Sequence, residues 1–212
     1  MRSHASGMIA VRQLQTPLAQ NQEPESDPAP APLEGALVRR AAGGDAQAFR
    51  RLFDRHAPAV RRFLGDLLRD AGAADEGTQE TFVRAHARLG TLRADEKLLP
   101  WLFGIARHVF HEELRARRRH PVASDAALAA EVDGALSPEG QLMRREADGL
   151  LQQALDELDE ERRSALLMRI DHGLDYVEIG DVMGWPLSKV KNEIHRARLA
   201  MRARLGNYLG GT

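Results

Sequence analysis

Between Asp175 and Leu205, two apolar stripes at helical spacing are separated by a single glycine. Tyr176, Ile179, Val182 and Met183 repeat as one face of a short helix, and Val190, Ile194, Ala197 and Met201 as one face of a long one. Gly184 supplies the sharp turn between them, and Ser188, just after Trp185-Pro186, is a residue type that caps helices. Helix, glycine-containing turn and helix is the build of a helix-turn-helix. An ordinary antiparallel helix pair has the same stripes, so the charges must separate the two readings. Leu187–Leu205 carries Lys189, Lys191, Arg196, Arg198, Arg202 and Arg204 against one acid, Glu193. With the stripe buried, Ser188, Lys189, Lys191, Asn192, His195, Arg196 and Arg198 are expected to lie off it, the first of them near the helix end that enters a major groove. Lys and Asn suit base edges, whereas Arg196, Arg198 and Arg202 suit phosphates.

The formal net charge of −1 hides this pattern because it averages unequal segments. A second basic pole lies upstream at Arg115, Arg117, Arg118 and Arg119. Residues 122–161 are the reverse, strongly acidic with Arg144 and Arg145 as their only bases. Phosphate affinity follows such local poles rather than their sum. Ala, Leu, Arg and Glu dominate, and no alternating run of β-branched residues occurs, so the fold is expected to be all-α. The chain has no cysteine, which excludes a disulfide scaffold and thiolate metal sites and suits the cytoplasm. No apolar run approaches the ~18 residues of a membrane span, so no membrane insertion is expected.

Residues 1–34 hold Pro17, Pro24, Pro28, Pro30 and Pro32 among polar residues and alanine, and are expected to form a disordered tail. A first helical domain is expected over 35–120. Asp45 would cap a helix carrying Phe49, Leu52, Phe53, His56, Val60, Phe63, Leu64 and Leu67 on one stripe and ending at Gly72. A second helix, at about 74–89, would bury Thr78, Phe82, Ala85 and Leu89. After a polar loop, a third at about 98–119 would bury Trp101, Leu102, Ile105, Ala106, Val109 and Leu114. Residues 121–138, rich in Ala and Asp between two prolines, read as a flexible linker. A second small helical domain is expected over 139–207, with helices marked by Leu150, Leu151, Leu155 and Leu158, then Leu166, Leu167 and Ile170, ahead of the helix-turn-helix. Residues 208–212 form a short tail.

Two ordered sets of residues carry a family resemblance. Tyr176-Val-Glu-Ile-Gly-Asp-Val-Met-Gly-Trp-Pro with Val190-Lys-Asn-Glu-Ile-His-Arg-Ala-Arg resembles region 4 of the extracytoplasmic-function (ECF) sigma factors. Gln79-Glu-Thr-Phe-Val-Arg-Ala, Trp101-Leu-Phe-Gly-Ile-Ala-Arg and Leu114-Arg-Ala-Arg-Arg-Arg resemble region 2 of the same group. The resemblance implies a dissociable subunit of bacterial RNA polymerase. It implies that Asp75, Glu76, Gln79 and Glu80 face the clamp of the largest subunit, with the flap as a further partner surface. It also implies that the 90–97 loop, with Thr91, Arg93 and Lys97, holds a flipped −10 base. Arg107, His108, Arg115, Arg117, Arg118 and Arg119 would then follow the strand backbone, while region 4 reads the −35 element of promoter DNA. An anti-sigma factor is a further partner that the family implies. Five departures stand out: Glu76 where Asp is usual, Gly77 where an apolar residue is common, His108 where Asn usually follows Ile-Ala-Arg, and Lys189 and Glu193 in the recognition helix, where a small hydroxyl residue and an Arg are frequent. A carboxylate at 193 would repel phosphate or accept from a cytosine amino group.

The residues themselves leave two rivals: a stand-alone helix-turn-helix regulator, which does not assign the block from Gln79 to Arg119, and a protein-binding helical adaptor, which predicts no salt-dependent DNA affinity. His111-Glu-Glu-Leu-Arg lacks the second histidine of a zinc-protease helix, and His108 with His111 finds no third ligand. No catalytic constellation, metal or cofactor is expected, so the chain is not read as an enzyme. Trp101 and Trp185 are expected to be core residues rather than stacking platforms.

Overall fold

The computed structural model describes residues 31–92, 97–119 and 138–209, with side chains for 34–92, 97–119 and 146–206. The expected tail (1–30), linker (121–137) and C-terminal tail (210–212), together with Arg93, lie outside the described residues. All described regular structure is helical. The helices are α1 (Ala31–Ala42), α2 (Ala46–Leu68), α3 (Ala71–Arg88), a 3-10 turn (Leu89–Thr91), α4 (Leu98–Arg119), α5 (Pro138–Asp156), α6 (Glu160–Ile170), α7 (Tyr176–Met183) and α8 (Leu187–Leu209). They form two compact units, one containing α1–α4 and the other α5–α8.

In the first unit α2 packs against α1, α3 and α4, and α3 packs against α4. Asp45 caps α2, its carboxylate accepting from the Gln47 and Ala48 amides, and Asp70 caps α3 by accepting from Ala73. The expected stripe is buried at Leu52, His56, Val60, Phe63, Leu64 and Leu67, and it runs through Pro58 without ending the helix. Phe63 and Phe103 are fully buried with ring centroids 4.9 Å apart, tying α2 to α4. Such a buried aromatic is worth about 3–5 kcal/mol against truncation to Ala.

Three expectations shift. First, α1 begins at Ala31, so the segment expected to be tail to residue 34 runs into a helix. Pro32 lies in its first turn, where a missing amide is no loss. Second, α2 ends at Leu68 rather than Gly72. Arg69 takes a left-handed conformation (φ 59) and Asp70 immediately starts the next cap. Third, Trp101 and Leu114 are half-buried at the margin of the core. Gly77 faces the core: a Cβ there would sit 3.1 Å from Leu64 Cδ1 and 3.5 Å from Val109 Cγ1. The glycine is a close-packing device at the meeting of α2, α3 and α4.

In the second unit α8 packs against α5, α6 and α7, and α6 packs against α7. Leu166, Leu167, Met168, Ile179, Val190, Ile194, Ala197 and Met201 form its core, all at most 1% exposed. Asp159 caps α6, and Asp175 with Glu178 forms a capping box on α7. Gly184 ends α7 with φ 65, a conformation only glycine adopts without strain, and the Trp185 amide donates to the Gly180 carbonyl at 2.9 Å. The long helix starts at Leu187, two residues earlier than a Ser188 cap would place it. Pro186 provides the first acceptor carbonyl, for the Lys189 amide at 2.9 Å.

Candidate nucleic-acid interface

The buried stripe of α8 leaves Ser188, Lys189, Lys191, Asn192, His195 and Arg196 exposed around its N-terminal half. The turn before the helix orders this face: the Lys189 ammonium sits 4.1 Å from the centroid of the half-buried Trp185 ring, a cation–π contact. Trp185 is thus neither plain core nor an open platform. Glu193 does not project freely. Its carboxylate takes Nε and Nη2 of Arg162, on α6, at 2.8 and 2.7 Å, and Nη1 of Arg196 at 3.2 Å.

Arg198 corrects the expected set. It is 5% exposed, and its Nε and Nη1 are buried without a hydrogen bond. Burial pushes its guanidinium below the usual arginine range, and neighbouring Arg169 and Arg202 add to that against an opposing contribution from Tyr176. Position 198 is four residues after Ile194 and seven before Leu205, so the helical period that buries those two also carries Arg198 inward. Arg169 is likewise buried. It donates to the Leu174 carbonyl at 3.0 Å and lies 5.0 Å from the Tyr176 ring centroid, pinning the end of α6 to the start of α7.

In the first unit, Asp75, Glu76 and Gln79 are exposed on α3, and Glu80 is half-buried. Asp75 is paired with Arg61 of α2, whose guanidinium holds its carboxyl below the usual aspartate range. Glu80 accepts from Arg84 Nε at 2.7 Å, and the same Arg84 makes a two-pronged bond to Glu112 of α4 at 2.9 and 2.7 Å. Arg84 thereby holds the Glu112 carboxyl low and is itself held above its usual range. Beside Gln79 opens a shallow apolar hollow of about 470 Å³, lined also by Phe49, Phe53, Phe82, Val83 and His86. The Phe53 and Phe82 rings meet edge to face at 4.7 Å, as do Phe49 and His86. The stripe reading missed this hollow because it placed Phe49 and Phe53 in the core. The signal was Val83, a large apolar residue off the stripe and 64% exposed.

The basic end of α4 is not uniform. His108, Arg115, Arg118 and Arg119 are exposed and Arg107 is half-buried, whereas Arg117 is engaged on the protein. Its Nε donates to Glu113 at 2.8 Å, Nη1 to the Leu68 carbonyl at 3.2 Å and Nη2 to Asp70 at 3.3 Å. It clips the end of α4 to the α2–α3 corner. Thr91 and Lys97 are both exposed and flank the undescribed residues 93–96. Thr91 Oγ1 donates to the Arg88 carbonyl at 2.7 Å.

The family models for Sigma-70 region 2 and for Sigma-70, region 4, match residues 52–120 and 148–201, one in each unit. The chain is 35% identical over 173 residues to the RNA polymerase sigma-H factor of Pseudomonas aeruginosa, spanning 78% of this chain and 90% of that protein. It belongs to the sigma-70 family, among the ECF sigma factors. The ECF RNA polymerase sigma-E factor of Escherichia coli K12 is 32% identical over the same coverage. Two solved structures share the fold at 24% identity. One is the sigma factor RpoE in complex with the anti-sigma factor NepR from Bartonella quintana, with a TM-score of 0.62 over 76% of this chain and 98% of that one. The other is CnrH in complex with the cytosolic domain of CnrY, at 0.64 over 82% and 97%. As an ECF sigma factor the chain is an alternative-sigma transcription initiation factor, and the stand-alone regulator is not favoured, because both units match sigma regions in order. Among the described residues no helix is long and apolar enough to cross a membrane.

Proposed function

We propose that this sigma factor works in the cytoplasm, joins core RNA polymerase through its first unit, reads −35 DNA with α8 and opens the −10 element with the loop between α3 and α4 and the basic end of α4. The observation that carries this reading is the row Ser188, Lys189, Lys191, Asn192, His195 and Arg196, left exposed on α8 by a capped and glycine-turned helix-turn-helix. Lys189, Lys191 and Asn192 sit where base edges come within reach, whereas Arg196 is drawn onto Glu193. On α3, Asp75, Glu76, Gln79 and Glu80 beside the apolar hollow make a polar-rimmed patch for the clamp. The flap is the expected contact of the second unit.

Thr91, Arg93 and Lys97 would hold a flipped −10 base. Arg107, His108, Arg115, Arg118 and Arg119 would follow the displaced strand, with Arg117 supporting them from within the fold. Capturing an unstacked base shifts the duplex toward its open form without a nucleotide-driven step, since binding energy to the single strand moves the equilibrium. A neighbour of the same fold is seen with an anti-sigma factor and another with the cytosolic domain of CnrY, so an anti-sigma factor covering one or both units is the proposed regulator here. Run-off transcription with core polymerase tests the whole reading. Added protein should yield promoter-dependent transcripts. A tightly bound operator with no transcript would replace it with a stand-alone regulator.

A further inference from the structure

Glu193 is the acid of an otherwise basic recognition helix, and the structure accounts for it as an internal counter-charge. Its side chain is 15% exposed, too enclosed for open base reading. Arg162 arrives from the first turn of α6, itself braced by Asp159 at 3.2 Å, and grips Glu193 through two nitrogens. The second contact of the carboxylate is Arg196, whose side chain is 66% exposed and would otherwise swing free toward phosphate. Together the three groups carry one net positive charge instead of two.

We propose that Glu193 is a positioning and selectivity residue. Anchored by Arg162, it restrains Arg196 against the helix, limits sequence-independent phosphate binding and leaves discrimination to Lys189, Lys191, Asn192 and His195. The reason is energetic: a freely swinging guanidinium reaches phosphate even in registers where Lys189, Lys191 and Asn192 meet no matching base, so holding it back removes more affinity from mismatched registers than from the one the base contacts fix. This rests on the reading of α8 as the helix that enters DNA.

A double-mutant cycle between Glu193 and Arg196 tests it. The full chain is titrated onto a short duplex of scrambled sequence across a salt series. The reconstituted holoenzyme is used separately to select from duplexes randomised upstream of the start site. Arg196→Gln alone should weaken scrambled-duplex binding less than about twofold, because the guanidinium is already restrained. In the Glu193→Gln background the same change should weaken it roughly fivefold or more, since the freed guanidinium then binds phosphate. Glu193→Gln alone should steepen the slope of log affinity against log salt by about one and lower the enrichment of the selected motif.

Equal effects of Arg196→Gln in both backgrounds would overturn the proposal. So would a Glu193→Gln holoenzyme that loses preference at a single base while its salt slope is unchanged, because that is a direct reader. If Glu193→Gln melts early, Glu193→Asp keeps the charge but shortens its reach to Arg196. It should release that guanidinium with the same sign and smaller size, and no release would count against the proposal. If the wild-type holoenzyme selects no motif, the promoter-reading function fails instead, and the two failures are distinguishable.

Discussion

Replacing Arg198 with Met should stabilise the second unit while leaving promoter choice intact. The side chain is 5% exposed, and two of its N–H-bearing atoms, Nε and Nη1, are buried with no acceptor. Each buried, unpaired donor costs about 1–3 kcal/mol, and Met keeps the aliphatic volume without the donors. Taking the low end for two donors gives ~2 kcal/mol. The substitution also removes a like charge beside Arg169 and Arg202. In a helical unit of this size ~2 kcal/mol raises the melting midpoint by about 8–16 °C. The assay is urea and thermal unfolding followed by tryptophan fluorescence in a Trp101→Phe background, where Trp185 alone reports on the second unit. Selection from the randomised duplex pool is run in parallel. A variant that is less stable by more than about 1 kcal/mol would show that the guanidinium is held by interactions worth more than its desolvation. A variant of unchanged stability that no longer selects the wild-type motif would put Arg198 back on the DNA-contacting face. Either result refutes the reasoning.

The helix contacts support three further expectations. Gly77→Leu should destabilise the first unit by about 1–3 kcal/mol, since even a Cβ there lies 3.1 Å from Leu64, and the lowered urea midpoint of that unit is the measurement. Arg117→Ala should lower the melting temperature of the first unit, whereas Arg118→Ala and Arg119→Ala should slow open-complex formation, read by permanganate footprinting, at unchanged stability; a reversed pattern would exchange their roles. Acid should loosen α1. Glu34 of α1 accepts from His56 at 2.8 Å, and that bond, ahead of the nearby positive charges, holds its carboxyl below the usual glutamate range. A depressed carboxylate contributes stability that is fully present above its unfolded value and disappears as pH falls through the lowered one. The protection factors of the α1 amides should therefore be flat from neutral pH to about 5 and fall below about 4, and Glu34→Gln should abolish that step.

Most of the helical plan was legible because it rests on one period and a few caps. Asp45 and Gly184 could be placed from their neighbours alone, and the structure puts both where local chemistry requires them. The misreadings share a physical origin. A helical stripe is wide, so a charged residue such as Arg198 can lie on it, and two aromatics such as Phe49 and Phe53 can lie at its edge and open to solvent. The packing role of Gly77 could not be read along the chain, because the sequence does not reveal how closely α2 and α4 approach α3. What remained illegible was pairing between elements. Arg162 and Glu193 are separated by 31 residues and Arg84 and Glu112 by 28, and no local period connects either pair. Those pairings change the meaning of the charges they join. Seen along the chain, Glu193 is a lone acid on a DNA-facing helix and Arg117 one of a basic triplet. In three dimensions both are turned inward onto protein partners, so the charge available to DNA is smaller, and more sharply placed, than the sequence count suggests.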